Sequence, residues 1–313
     1  MERFVELWRH ISGLVLKPSQ NPTADESDMT FLATMQTNGF LSLEDAMKVG
    51  GDLRERYVEA SPFPHIMIDD FLPEEVAEAC LAHFPSNREV EAITYNRDQE
   101  RLKTQYNPDT LPGSLRGLFY AFNSRPFLRV LENITGIKGL IPDPYFLGAG
   151  FHEIGQGGFL SMHADFNHHK PMNLERRINI LIYLNKDWTD AYGGQLELWD
   201  DKMEKCEVSI VPTFNRCVIF NTTSRSWHGN PQPVNHPAGV TRKSIALYYY
   251  TSTWSDTHRD HTTQFRARPG AGDKIDWEVR RVELINDLLP PVLLRSLRKM
   301  RGKAKPEPAA ANP

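Results

Sequence analysis

Between residues 145 and 251 the chain is a succession of short β-rich runs punctuated by Gly, Asn and Pro: Phe146–Ile154, Ile178–Leu184, Gln195–Trp199, Cys206–Val211, Cys217–Phe220 and Ser244–Thr251. Strands at this spacing predict an antiparallel sandwich or barrel. The flanks have a different texture. Phe4, Val5, Leu7, Trp8 and Ile11 suit a short amphipathic helix, and Ser42 caps another that includes Leu43 and Ala46. Phe63–Asp70 reads as an opening strand. Leu72-Pro73-Glu74-Glu75 then starts a helix that runs to about Phe84, with Pro and acids in the first turn. A second helical region spans Ser114–Thr135 with a break near Pro126, and Ile275–Leu289 returns to a helical period. The expected organisation is mainly β with flanking helices. Residues 1–139 form an N-terminal helical region containing the strand at 63–70, and 140–255 form the β core. A C-terminal helical extension occupies 256–301, and 302–313 form a disordered tail. Residues 85–110, with Arg88, Arg97, Arg101, Lys103 and Tyr106, read as a variable lid.

Composition narrows the function classes. The net charge is -4, without the basic excess expected of a nucleic-acid binder. No stretch approaches the ~18 consecutive apolar residues of a membrane span. Cys80, Cys206 and Cys217 are odd in number and far apart, so neither a disulfide framework nor a zinc site is expected, and the expected compartment is the cytoplasm. The oligomeric state is not legible.

The most informative stretch is Gly157-Gly158-Phe159-Leu160-Ser161-Met162-His163-Ala164-Asp165. In an extended chain, residues two apart share a face, so the His163 imidazole and the Asp165 carboxylate can reach one ion. Trp227-His228-Gly229-Asn230 supplies a further histidine after a β-rich run. Two His and one carboxylate make the facial triad of non-haem iron(II) sites, which leaves positions open for a bidentate co-substrate and dioxygen. His168 and His169 compete for the ligand role. Their flanks, Asn167 and Lys170-Pro171, mark them as loop residues facing solvent or substrate.

Shortly after His228 comes Thr241-Arg242-Lys243-Ser244, opening a strand rich in aromatics. A 2-oxoacid chelating iron has a distal carboxylate that needs a partner inside the barrel. The Arg242 fork matches it with two hydrogen bonds, and Ser244, on the same strand face, can donate a third. Lys243 is the fallback if the register slips by one. Tyr183 shares a face with Leu181 and Asn179 and can donate a phenol hydrogen to the same group.

Arg176-Arg177-Ile178-Asn179-Ile180-Leu181-Ile182-Tyr183-Leu184-Asn185-Lys186-Asp187-Trp188, followed by Gly193-Gly194-Gln195-Leu196-Glu197-Leu198-Trp199, resembles the central strands of prolyl-4-hydroxylase-like oxygenases of the 2OG-Fe(II) superfamily. His163-Ala164-Asp165, His228-Gly229 and Arg242 fit that pattern, and the likeness runs from about Phe146 to Thr253. It implies a double-stranded β-helix (jelly-roll, cupin-like) core, with Fe(II), 2-oxoglutarate and O2 as cofactor and co-substrates. It also implies that Tyr183 and Arg242 contact 2-oxoglutarate. Those hydroxylases often carry a Tyr about ten residues before the His-x-Asp. Here Phe151-His152-Glu153 stands instead, and His152 is the candidate replacement. A substrate-side arginine of the family falls at Arg176, whereas Arg177 has the inward parity of Tyr183, so both stay open. Asn167 and Trp227 are further substrate-side candidates.

The expected reaction is hydroxylation of an unactivated C–H in an amino-acid-like, peptidyl or natural-product substrate, with release of succinate and CO2. Related halogenases lack the carboxylate ligand, and Asp165 argues against that outcome. The alternative is a cupin-like barrel that binds a small molecule and needs neither the triad nor Arg242.

Overall fold

The computed structural model describes residues 30–85, 92–111, 113–255 and 260–277, with Arg281. The expected N-terminal amphipathic helix, the helix at 275–289 and the tail lie wholly or largely outside the described residues.

The β runs join into one curled antiparallel sheet, whose strands include β1 (His65–Ile68), β4 (Ile141–Pro142), β5 (Gly150–Ala164), β6 (His168–His169), β7 (Leu174–Tyr183), β8 (Leu196–Trp199), β9 (Cys206–Ile210), β10 (Cys217–Asn221), β11 (His228–Asn230) and β12 (Arg242–Thr251). The order is β1-β10-β7-β12-β5-β11-β8-β9, with β4 beside β12 and β6 beside β7. This is the double-stranded β-helix, and β5 accounts for its closure. The first part of β5 pairs with β12, Arg242 opposite Ile154 and Ser244 opposite His152. The last part pairs with β11, Asn230 opposite Leu160 and His228 opposite His163. Between them lie Gly155, Gly157 and Gly158, where the strand passes from one pairing partner to the next. A Cβ at Gly158 would stand 2.6 Å from the Arg101 carbonyl, so no larger residue fits that crossing.

Period-2 alternation sorts the side chains. On β7, β10 and β12, Ile178, Ile180, Ile182, Cys217, Ile219, Ile245, Leu247 and Tyr249 face one buried core, while Tyr183, Val218 and Phe220 face a smaller cluster with Leu196, Leu198 and Ile210. The larger core is covered by α1 (Leu43–Ala46), α2 (Arg54–Val58), α3 (Glu74–Ala82), α4 (Gly113–Phe122) and α5 (Arg125–Thr135). Ser42 caps α1 by accepting the Asp45 amide. α5 ends on Gly136 in the left-handed region, φ +74°, the usual helix stop. Edge-to-face contacts of Phe119 with Phe122, Phe146 and Phe151, and of Phe122 with Phe127, lock the helices to the sheet. Each such fully buried side chain contributes roughly 1.5–3 kcal/mol over exposure.

Residues 92–106 lie within the segment 85–110 expected as a lid. They make a hairpin of β2 (Ala92–Arg97) and β3 (Glu100–Tyr106), and β3 pairs with β5 along both halves, from Tyr106 opposite Phe151 to Glu100 opposite Leu160. A short strand β13 (Gln264–Phe265) pairs with the end of β5, Phe265 opposite His163. Among the described residues, no helix is long and apolar enough to cross a membrane.

Candidate metal centre and anion pocket

His163 lies on the last turn of the β5 pleat and faces His228 directly across the β5–β11 pairing, with ring centroids 4.4 Å apart. Asp165 follows just past the strand end. His163 Nε2 is 3.7 Å from Asp165 Oδ1, and His228 Nε2 is 3.3 Å from Asp165 Oδ2. One ligand atom from each of the three lies within 4.8 Å of the other two, a spacing that could hold a metal ion.

The donor set fits a divalent first-row metal. His163 Nδ1 is 2.9 Å from the Ser161 carbonyl, and His228 Nδ1 is 2.9 Å from the Ser226 carbonyl. A carbonyl only accepts, so each Nδ1 carries the proton and each Nε2 presents a lone pair to the shared centre. Burial and the neighbouring His228 pull the His163 pKa down to about 4, although Asp165 opposes the shift, so the ring is neutral near pH 7. Burial alone would raise the Asp165 pKa. Arg176, His228 and His163 outweigh it and hold the group well below the ordinary carboxylate range. The centre therefore offers the neutral His163 imidazole and the Asp165 anion, with His228 Nε2 turned to the same point.

Arg176 and Arg177 are separated by a bulge. Tyr249 pairs with Ile178 but Tyr250 pairs with Arg176, so Arg177 is the extra residue and the parity of β7 inverts there. Arg176 therefore points inward with Asn179, Leu181 and Tyr183. It is buried, ion-paired to Asp165 Oδ2 at 3.2 Å, and lies 3.6 Å over the Tyr248 ring. Arg177 points away and donates to Thr251 Oγ1. Parity counted through an unbroken strand favours Arg177, and the bulge reverses that choice.

Arg242, Ser244, Tyr183 and His152 gather on the inner face of the same sheet. Ser244 stands opposite Tyr183 on one side and His152 on the other. Arg242 is buried, donates from Nε to the Gly194 carbonyl at 2.7 Å and from one Nη to Tyr183 Oη at 3.3 Å, and no acid pairs with it among the described residues. Burial lowers its pKa. Burial likewise drives the His152 pKa well below its ordinary value, and its buried Nε2 has no hydrogen-bond partner among the described residues. Lys243 points to the opposite face, toward Thr241 and the Phe84 ring.

A cavity of about 500 Å3 opens beside His163 and Asp165. Tyr95, Arg97, Glu100 and Lys103 of the hairpin form one wall, and Phe166, Arg176 and Tyr248 contribute to the other. Glu100 bridges Arg97 (2.6 Å) and Lys103 (3.1 Å). A larger cleft of about 780 Å3, near Gly193 and Pro233, has neither histidine nor arginine in its lining.

Other expected residues are placed differently. His169 is fully buried, with Nε2 3.3 Å from Asp143 Oδ1, so it is neither solvent-facing nor substrate-side. The His168 ring stacks on Trp254 at 3.9 Å at the cavity mouth. The Trp227 ring sits in the cluster of Met162, Ala164 and Met203, on the face opposite His228, and not in the cavity lining. Asn167 accepts the His261 amide through Oδ1 at 2.9 Å and so ties down the segment leading to β13. Sequence reasoning missed Asn179, which bonds Asp165 and Arg176. It also missed Tyr248 and Phe265, which meets the His163 ring at 5.5 Å, and the hairpin residues as a cavity wall. The alternating parity of β7 and β12 carried a signal for Asn179 and Tyr248. Nothing local marked Phe265.

A family model described as the 2OG-Fe(II) oxygenase superfamily matches residues 149–250. No curated protein matches the sequence. Similar solved structures include a prolyl-4-hydroxylase from Pseudomonas putida, 18% identical over 64% of this chain and 98% of that one, with a TM-score of 0.46. Another is a prolyl hydroxylase from Trichoplax adhaerens in complex with a hypoxia inducible factor oxygen degradation domain peptide fragment, 19% identical over 66% of this chain and 91% of that one, TM-score 0.47. A third is HygX from Streptomyces hygroscopicus with nickel and 2-oxoglutarate bound, 8% identical over 60% and 83%, TM-score 0.41. The segment matched by this family model contains both histidines, the carboxylate and the buried arginine.

Proposed function

We propose that the protein hydroxylates an unactivated C–H of an amino-acid-like, peptidyl or natural-product substrate, using residues 140–255 as its catalytic core. His163, Asp165 and His228 hold the iron, and Arg242, with Tyr183 and Ser244, holds the distal carboxylate of 2-oxoglutarate. The observation that carries this reading is the pairing of two unlike corners on one face: a convergent, pre-set donor trio, and a buried guanidinium with only neutral partners. An unpaired buried cation costs several kcal/mol, which an incoming carboxylate offsets. When bound, iron(II) supplies the oxidative chemistry that couples decarboxylation of 2-oxoglutarate to succinate and CO2 with oxygen insertion into the substrate. The chain's own part is orientation. The Ser161 and Ser226 carbonyls fix both imidazoles, the Gly194 carbonyl and Tyr183 aim Arg242, and the hairpin and Tyr248 wall the cavity in which a substrate lies. A cupin-like binding module would need none of these devices. Three free cysteines, two of them buried, suit a cytoplasmic address. The deciding assay is succinate release from 2-oxoglutarate by the iron-loaded protein. It should be iron-dependent and absent in His228→Ala, and iron-independent or unchanged turnover would overturn the proposal.

A further inference from the structure

The environment of Asp165 is lopsided. Oδ2 accepts from Asn179 Nδ2 at 2.6 Å and lies 3.2 Å from an Arg176 Nη, whereas no hydrogen bond reaches Oδ1 among the described residues. Asn179 is itself held: its Oδ1 accepts from Arg176 Nε at 3.0 Å and from Nη at 2.6 Å. The amide orientation follows from chemistry. An arginine only donates and an ionised carboxylate only accepts, so the Asn179 oxygen must face Arg176 and its nitrogen must face Asp165. Arg176 is clamped in turn between the rings of Phe166 (4.4 Å) and Tyr248 (3.6 Å). The group is buried, and the β7 bulge at Arg177 is what brings Arg176 and Asn179 to one face.

We infer that Asn179 and Arg176 are positioning residues that hold Asp165 Oδ2, the first by a hydrogen bond and the second by an ion pair, and so turn Oδ1 to the metal. The amide takes one acceptor direction of Oδ2, the Arg176 guanidinium ion-pairs with the same oxygen at 3.2 Å, and His228 Nε2 approaches it at 3.3 Å. A carboxylate free to chelate with both oxygens would consume one of the positions that a facial triad leaves for its co-substrates. On this reading Arg176, which also lines the cavity, serves the metal ligand. The inference rests on the ligand assignment proposed above.

The test is titration of the full-length protein with Mn(II), read by the loss of free-ion paramagnetic signal, and with Fe(II) plus 2-oxoglutarate, read by the charge-transfer absorbance. Asn179→Asp keeps the side-chain shape but removes the donor. It should weaken metal binding roughly ten- to a hundred-fold, the usual cost of losing a partner that orients a ligand, and should shift or weaken the charge-transfer band. Arg176→Lys keeps the charge but cannot reach Oδ2 and Asn179 together, so its loss should be smaller. Should either variant fail to fold, Asn179→Ala reads the same bond. Wild-type affinity and band in Asn179→Asp and Arg176→Lys, with metal binding abolished in His228→Ala, would show that the pair is only structural. Retained binding in His228→Ala would instead overturn the ligand assignment and leave the clasp without a metal to serve.

Discussion

The metal corner and the arginine corner share one inner face of the barrel, yet they are finished to different degrees. Around His163, His228 and Asp165 the surrounding polar atoms are satisfied: both Nδ1 atoms by carbonyls, Oδ2 by Asn179 and Arg176. One ligand atom from each of the three residues converges where an ion could sit. Around Arg242 the reverse holds. A buried cation is left with a carbonyl and a phenol, and His152 adds an unpartnered buried nitrogen. One corner is complete without its charge, and the other keeps a charge without its counter-ion. On the proposed function the difference has a reason: a corner that keeps a metal resident can be satisfied by protein alone, whereas one that admits and releases a co-substrate must keep its partner missing.

Removing a donor from the complete corner should have the largest effect. His163→Ala or His228→Ala should abolish stoichiometric Fe(II) binding, measured by titration against an anaerobic chelator, because the remaining ligands cannot hold the ion alone. Arg242→Ala should leave iron binding intact but weaken 2-oxoglutarate by roughly 30- to several-thousand-fold, the cost of about 2–5 kcal/mol for a buried carboxylate left unpaired. The charge-transfer absorbance of the iron-loaded protein reads this directly. Equal loss of iron and 2-oxoglutarate would erase the distinction between the corners. Gly194→Ala is a milder probe. Gly194 has φ +71°, and a Cβ there would stand 2.9 Å from Arg242 Cδ. It should cost on the order of 1–2 kcal/mol of stability through backbone strain and lower 2-oxoglutarate affinity by less than Arg242→Ala, with iron binding unchanged.

The smallest effect concerns the apolar core behind both corners. Burial pushes the Cys80 thiol up to about 12 and Cys217 well above its ordinary value. An acid whose folded pKa is raised stays protonated while the unfolded chain ionises. Stability is thus unaffected below about pH 9 and falls as pH rises beyond it, by on the order of 1 kcal/mol for Cys80 by pH 10. Denaturant melts at pH 8 and pH 10 check this, and Cys80→Ala should flatten part of the slope. Metal-corner occupancy should not affect that slope.

The sequence by itself determined what depends on near neighbours. The β runs, their turn residues and the two-residue spacing of His163 and Asp165 are local, because side-chain direction in an extended strand alternates without reference to the rest of the fold. Arg242 and Ser244 were legible for the same reason, as was Tyr183. Tertiary structure alone decided what depends on pairing across the sheet. Arg176 and not Arg177 turns inward because a bulge against Tyr249 and Tyr250 resets the parity of β7, and a bulge is set by the partner strand. Residues 92–106 became a wall because β5 extends far enough to pair with β3, and His169 became buried because Asp143, from a distant segment, meets it. Phe265 reaches His163 across about a hundred residues of chain, a contact that no local pattern encodes. A strand carries its own alternation in its sequence, but its register, and hence which alternate faces the candidate metal site, is fixed only when another strand lies beside it.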